Sequence, residues 1–162
     1  MKWICLLLCC CIVFSGCQSA TATTQTAPTV PGDISEFSFS LPEGYTFAAD
    51  AINSLSILKN DEMVGGLVLT GLDVSCLKDT RSTEVHQYIN SYGQMPLICE
   101  YIIMQGDDFL AVSMAVTDPD TNIRSETSHR LFAHHSECFD LWFDDGLSDE
   151  DREAITNAVF GI

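Results

Sequence analysis

The sequence predicts an α+β domain: an antiparallel sheet of about six to seven strands with two packed helices, an α/β/α arrangement. Three observations predict it. Most of the chain after residue 34 alternates apolar and polar letters with a period of two, the mark of a half-buried strand. Two stretches switch to helical spacing. The links between neighbouring strands are turn-length, so those neighbours pair as antiparallel hairpins.

Taken in order, Ile34 to Leu41 sets Phe37, Phe39 and Leu41 on one face, with Glu36, Ser38 and Ser40 on the other. This reads as a first strand, ended by Pro42-Glu43-Gly44. Ser54 to Lys59 is a second strand, with Leu55 and Ile57 inward. Asn60-Asp61-Glu62 turns it into a third, Met63 to Leu72, where Gly65-Gly66 points to a bulge or a close backbone approach. Asp79 to Tyr92 is a helix: Val85, Tyr88, Ile89 and Tyr92 form one stripe, cap-forming residues stand at its start, and Gly93 stops it. Strands return at 97–104 and 109–117, joined by Gly106-Asp107-Asp108. Segment 97–104 is apolar on both faces except Glu100, which predicts a central strand. Asp118 to Asn122 is a turn cluster. Ile123 to His134 is polar and alternating, an exposed or edge strand. Cys138 to Phe143 puts Phe139, Leu141 and Phe143 on one face. Ser148 opens a last helix, with Asp151 three residues on and a stripe of Ile155, Ala158, Val159 and Ile162.

The first sixteen residues read as an export signal. Met1-Lys2 precedes an apolar and cysteine run from Trp3 to Phe14, too short for the roughly twenty residues that span a bilayer. The run ends in Phe14-Ser15-Gly16-Cys17. Two small residues before a cysteine resemble the bacterial lipobox, although Phe14 stands where that pattern usually has Leu. The resemblance implies that residues 1–16 are a lipoprotein signal peptide, cut so that Cys17 carries the lipid. Residues 17–33 are then anchor and linker. The Thr- and Pro-rich part has no apolar period and behaves as a flexible chain about 22 Å across. Residues 34–162 form the single domain.

The chain of 162 residues has 7 Lys plus Arg against 23 Asp plus Glu, a net charge of −16, and losing Lys2 with the signal makes it −17. Such a surface does not neutralise phosphates, which excludes nucleic acid as a partner. Hydrophobic residues at 46% exclude a disordered acidic tail. Of 8 cysteines, only Cys76, Cys99 and Cys138 belong to the domain, so at most one disulfide forms within it.

The opening phrase Phe37-Ser38-Phe39-Ser40-Leu41-Pro42-Glu43-Gly44-Tyr45 and the closing strand–helix pair over 138–160 resemble the PsbP-like α/β/α sandwich. They are similar as well to small lipoproteins of Gram-positive bacteria. The resemblance implies a binding or assembly role; no catalytic residue comes with it.

No Gly-x-Ser-x-Gly, Walker A loop, Gly-x-Gly-x-x-Gly or His-Glu-x-x-His occurs, so no enzyme class and no cofactor is expected. The candidate metal ligands are His129, His134, His135 and Cys138, since imidazole and thiolate suit zinc or copper. On one regular strand His129 and His135 would face one side, and His134 and Cys138 the other, unless the chain bends near Ser136. His86 is expected to face solvent. Asp118, Asp120 and Asn122 imitate the start of a calcium loop, but Ile123 and His129 stand where that loop needs Gly and Glu; a hairpin turn accounts for them. Of the five acids Asp144, Asp145, Asp149, Glu150 and Asp151, those at 149–151 suit the N-terminus of the last helix; a weak cation site or a contact for a basic partner is the alternative. If Phe139, Leu141 and Phe143 face the core, Trp142 points to the other sheet face and is the candidate binding residue. The expectation is an exported, membrane-anchored protein on the extracytoplasmic face of a bacterial envelope. Its non-catalytic domain binds an envelope protein or a small ligand. The alternative is a metal-binding lipoprotein using the His/Cys group.

Overall fold

The computed structural model describes residues 32–92 and 97–161. Residues 1–31, on which the expected signal peptide, the expected lipid site Cys17 and most of the expected linker fall, lie outside the described residues, as do Gly93 and Ile162. Among the described residues no helix is long and apolar enough to cross a membrane.

Seven strands form one sheet: β1 (Tyr45–Ala51), β2 (Ser54–Lys59), β3 (Glu62–Leu69), β4 (Ile98–Gln105), β5 (Phe109–Thr117), β6 (Arg124–His134) and β7 (Glu137–Asp144). Two helices accompany them, α1 (Thr83–Asn90) and α2 (Asp149–Phe160). The sheet order is β1-β2-β3-β7-β6-β5-β4, with every neighbour antiparallel. The α+β class, the antiparallel pairing and the two helices are as the sequence predicts. Local chemistry explains the turns. Asn60-Asp61 and His135-Ser136 both take positive φ at two successive positions, the backbone of the tight hairpin turn that matches strand twist. Asp118 Oδ1 accepts from the Asp120 amide at 2.8 Å, closing the β5–β6 turn.

One helix packs on each sheet face. On one, Ile155 and Val159 of α2 bury against Leu67, Leu69, Phe139, Leu141 and Phe143. On the other, Val85 and Ile89 of α1 bury against Leu110, Val112, Met114, Leu131 and Cys138. Each cap is built from the sequence beside it. Ser82 accepts from the Val85 amide at the start of α1, and Ser148 accepts from that of Asp151 at the start of α2. Gly161 closes α2 in the left-handed conformation at φ 74.

Three sequence expectations need correction. Residues 34–41 are not a sheet strand. Ile34–Glu36 is a short 3-10 turn, and the segment then runs as a strap over the α2 face. Phe37 and Phe39 meet Phe139 edge-on at 5.0 and 5.1 Å, and Ser40 Oγ donates to the Ala158 carbonyl at 3.0 Å. The alternation is real because the strap has a wet side and a core side, but no ladder accompanies it. The first sheet strand is instead β1, after Gly44. The second and third corrections exchange two positions. β4, expected in the centre, is an edge; β6, expected at an edge, lies inside. The chain returns through β7, which pairs with β3, so the β4–β7 meander docks by its last strand and leaves its first outermost.

Candidate functional site

Two features stand out against the ordinary core: a buried polar network beneath α1, and an uncovered apolar ledge at β4.

The network begins with parity. Thr127, His129 and Leu131 of β6 point to the α1 face. So do Cys138, Asp140 and Trp142 of β7, since Leu131 pairs with Asp140 and His129 with Trp142. Asp140 is 0% exposed and His129 5%. His129 Nδ1 lies 2.9 Å from Asp140 Oδ2, and its Nε2 lies 2.9 Å from Thr127 Oγ1. The Nδ1–H tautomer satisfies both contacts: it donates to the carboxylate and accepts from the threonine hydroxyl. From α1 and its end, Tyr88 and Tyr92 each donate to Asp140 Oδ2 at 2.9 Å. Burial, and then the Asp140 charge, push both phenols far above their ordinary value, so they stay protonated donors.

Hydroxyl, imidazole and carboxylate in this order are the parts of a nucleophilic relay. The surroundings give it a different role. β6 pairs with β5 over Arg124–Phe132 and with β7 over Thr127–His134, so His129 sits in the doubly paired middle of the strand, with its two ring nitrogens occupied by Asp140 and Thr127. The network braces α1 against the centre of the sheet. It also explains how a strand of polar letters sits inside. Sequence reasoning singled out His129 only as a metal candidate. The available signal was Thr127 and His129 two apart on a strand, facing an acid in the next one.

The other predicted residues are dispersed. The turn at His135-Ser136 pairs Ala133 with Cys138 and His134 with Glu137, so His134 and Cys138 take opposite faces, a correction to the straight-strand reading. His134 packs against Phe39 at 5.1 Å and His135 at 4.3 Å between ring centroids. Burial, then the neighbouring His135, push its imidazole down toward the neutral form. Cys138 lies in the α1-side core, its thiol pushed up to about 12 chiefly by burial. Among the described residues no group of three or more His, Cys, Asp and Glu could hold a metal. Cys76, Cys99 and Cys138 are all free. His86 does not simply face solvent: its ring lies 2.8 Å from Tyr101 Oη and 3.0 Å from the Thr80 carbonyl. Trp142 is half-buried on the face predicted for it, its indole over Gly66.

The ledge lies on the α2 face. The core under α2 takes residues of β3, β7 and β6 and reaches β5 at Phe109, while no residue of β4 joins it. Ile98, Ile102 and Met104 are therefore 54%, 66% and 57% exposed, side by side with Glu100 on one strand face. Between the ledge and α2 runs an open groove of about 460 Å³, with Met104 on one wall, Arg152 and Thr156 on the other, and Ala111, Ser113 and Ser128 along its floor. Arg130, also at the groove, lies over the Phe109 ring at 5.1 Å. Large apolar residues left together in water mark an interaction surface more often than scattered single ones do.

No family model matches this chain, and neither does any curated protein.

Proposed function

We propose that this chain is an exported lipoprotein, held to the outer side of a bacterial membrane through a lipid on Cys17, whose PsbP-like domain binds an envelope partner without chemistry of its own. The anchor reading rests on Phe14-Ser15-Gly16-Cys17 after a short apolar run. The binding reading rests on the exposed group Ile98, Ile102 and Met104. A monomer gains nothing from leaving these three in water, at about 25 cal/mol for each Å² of apolar surface left unburied.

Two experiments test the two parts. Wild-type protein is expected in the membrane fraction with residues 1–16 removed, and Cys17→Ser in the soluble fraction. Retention of Cys17→Ser in the membrane overturns the anchor. A photo-crosslinking residue in place of Ile102 is expected to trap a discrete partner in intact cells. The same residue in place of Ile52, which is 69% exposed on the β1–β2 turn, is expected to trap none. Equal patterns at the two positions overturn the ledge as the binding surface.

A further inference from the structure

We infer that the free edge of β4 takes up an extended, basic and apolar segment of a partner protein as an eighth strand of the sheet. This inference rests on the binding reading above and adds to it the mode of contact and the chemistry of the partner.

The backbone comes first. The β4–β5 hairpin closes with the Gly106 amide donating to the Phe109 carbonyl at 2.8 Å. In an antiparallel ladder, directions alternate from that pair. Met104, Ile102, Glu100 and Ile98 therefore turn their amides and carbonyls toward Ala111, Ser113, Ala115 and Thr117 of β5. Cys99, Tyr101 and Ile103 turn theirs outward. Among the described residues nothing pairs with them, since β4 ends the sheet. A row of unpaired donors and acceptors along a strand from Ile98 to Gln105 is a template for another strand. Natural sheets commonly blunt such an edge with Pro, Lys or a bulge. β4 has no Pro and no Lys, and its register with β5 runs unbroken.

Side chains then select the partner. One face of β4 offers Ile98, Ile102 and Met104, all exposed, so an added strand finds apolar neighbours for its own side chains on that face. Charge decides the rest. Glu100 lies among the three apolar residues. Asp107 and Asp108 follow the Gln105 end, and Asp118 and Asp120 follow Thr117, the partner of Ile98. Arg124 is held by Glu100 and Glu126 at 2.9 Å each. Of the cations near the Met104 and Gln105 end, Arg130 lies over the Phe109 ring, Arg152 donates to the Asp144 and Asp145 carbonyls, and Lys78 stands beside Asp107 and Asp108. The edge is thus apolar with an acidic frame and complements a strand alternating apolar and basic residues. A second copy, itself at −16, and the chain's own uncharged linker from Gln18 to Gly32 lack that complement.

The test uses the isotope-labelled full chain in neutral detergent and a peptide of about eight alternating lysines and valines, the length of the edge. Amide exchange at Cys99, Tyr101 and Ile103 is expected to slow by about tenfold or more at saturating peptide, as it does when open amides enter a ladder. The same peptide N-methylated throughout, and a glutamate–valine version, are expected to leave exchange unchanged. Ile102→Lys, an exposed change that spares the core, is expected to weaken lysine–valine binding about tenfold. Equal binding of the methylated or acidic peptide overturns the inference, and so does a response centred elsewhere, such as around Trp142. Amides already protected without peptide overturn it too, in favour of the chain's own linker if protection is independent of concentration and of a second copy if it grows with concentration. A crosslink at Ile102 in cells without any peptide response removes the strand mode and leaves the binding reading standing; failure of both removes both.

Discussion

His129 and Asp140 meet across the β6–β7 pair with Nδ1 2.9 Å from Oδ2, and the two residues are 5% and 0% exposed. Tyr88 and Tyr92 reach the same carboxylate oxygen from above. A buried acid with three donors is stable only while all three remain. His129→Ala is expected to lower unfolding stability by about 1.5–3 kcal/mol for the lost bond to the carboxylate, and further for the cavity that the ring leaves. Tyr88→Phe is expected to cost about 1.5–3 kcal/mol, a single bond to a charged acceptor. Urea unfolding of the two variants and of the double variant measures both terms and their coupling; additive losses would show that the four side chains do not act as one network.

Stability is expected to fall at alkaline pH. Burial raises the values of Cys138, Tyr88 and Tyr92 above those of the unfolded chain. A group that holds its proton more tightly when folded contributes its full stability below the unfolded value and loses it as pH rises toward the folded one. The thiol sets the start of the window, from about 8.5 in the unfolded chain to about 12 in the fold. Denaturant midpoints between pH 7 and 11 measure the loss, and Cys138→Ala is expected to remove the part that begins first.

Gly65 and Gly66 of β3 lie beside Phe143 and Trp142 of β7 in the ladder, and the two are not equivalent. A Cβ at Gly65 would collide with the Trp142 carbonyl, which belongs to the ladder and cannot move. A Cβ at Gly66 would sit 2.6 Å from Trp142 Nε1, where a side chain can turn aside. Each alanine is expected to destabilise by about 1–3 kcal/mol, the range for overpacking, with Gly65→Ala at its upper end. Only Gly66→Ala is expected to shift the tryptophan emission of the folded protein.

Ser148 caps α2 through the Asp151 amide at 3.2 Å, while the Asp151 carboxylate goes to Lys59 of β2 at 2.9 Å. Ser148→Ala is expected to cost about 1 kcal/mol. Asp151→Asn is expected to cost less, because the Lys59 pair is partly exposed and screened by salt. Melting curves at low and at about 1 M salt separate them: the Asp151→Asn difference shrinks with salt and the Ser148→Ala difference does not.

Where information was local, it was legible. Ser54–Lys59 and Phe109–Thr117 have in the structure the bounds read from their alternation, and Ser148 caps the helix it was expected to open. Residues 34–41 show why alternation alone is insufficient. A strap with one wet and one buried side has the same pattern as a strand, and only a partner for its backbone tells them apart. β4 and β6 show the same limit at the next level. An apolar strand was expected inside and a polar one outside, but partner order follows which hairpin docks on which. The dispersal of His134 and Cys138 follows from a two-residue turn that changes which side chains share a face.

The sequence by itself determined the class of the fold, several of its turns and helix caps, and its acidic character, because these depend on residues near one another in the chain or on a sum over all of them. It also carried the lipid-anchor expectation at Cys17, again a local pattern. Only the tertiary structure decided that β7 pairs with β3, that Asp140 gathers Tyr88, Tyr92 and His129, and that Ile98, Ile102 and Met104 stay uncovered. Each of these depends on groups far apart in sequence being brought to one place. The energy that does so comes from burying whole faces rather than from any single residue's preference.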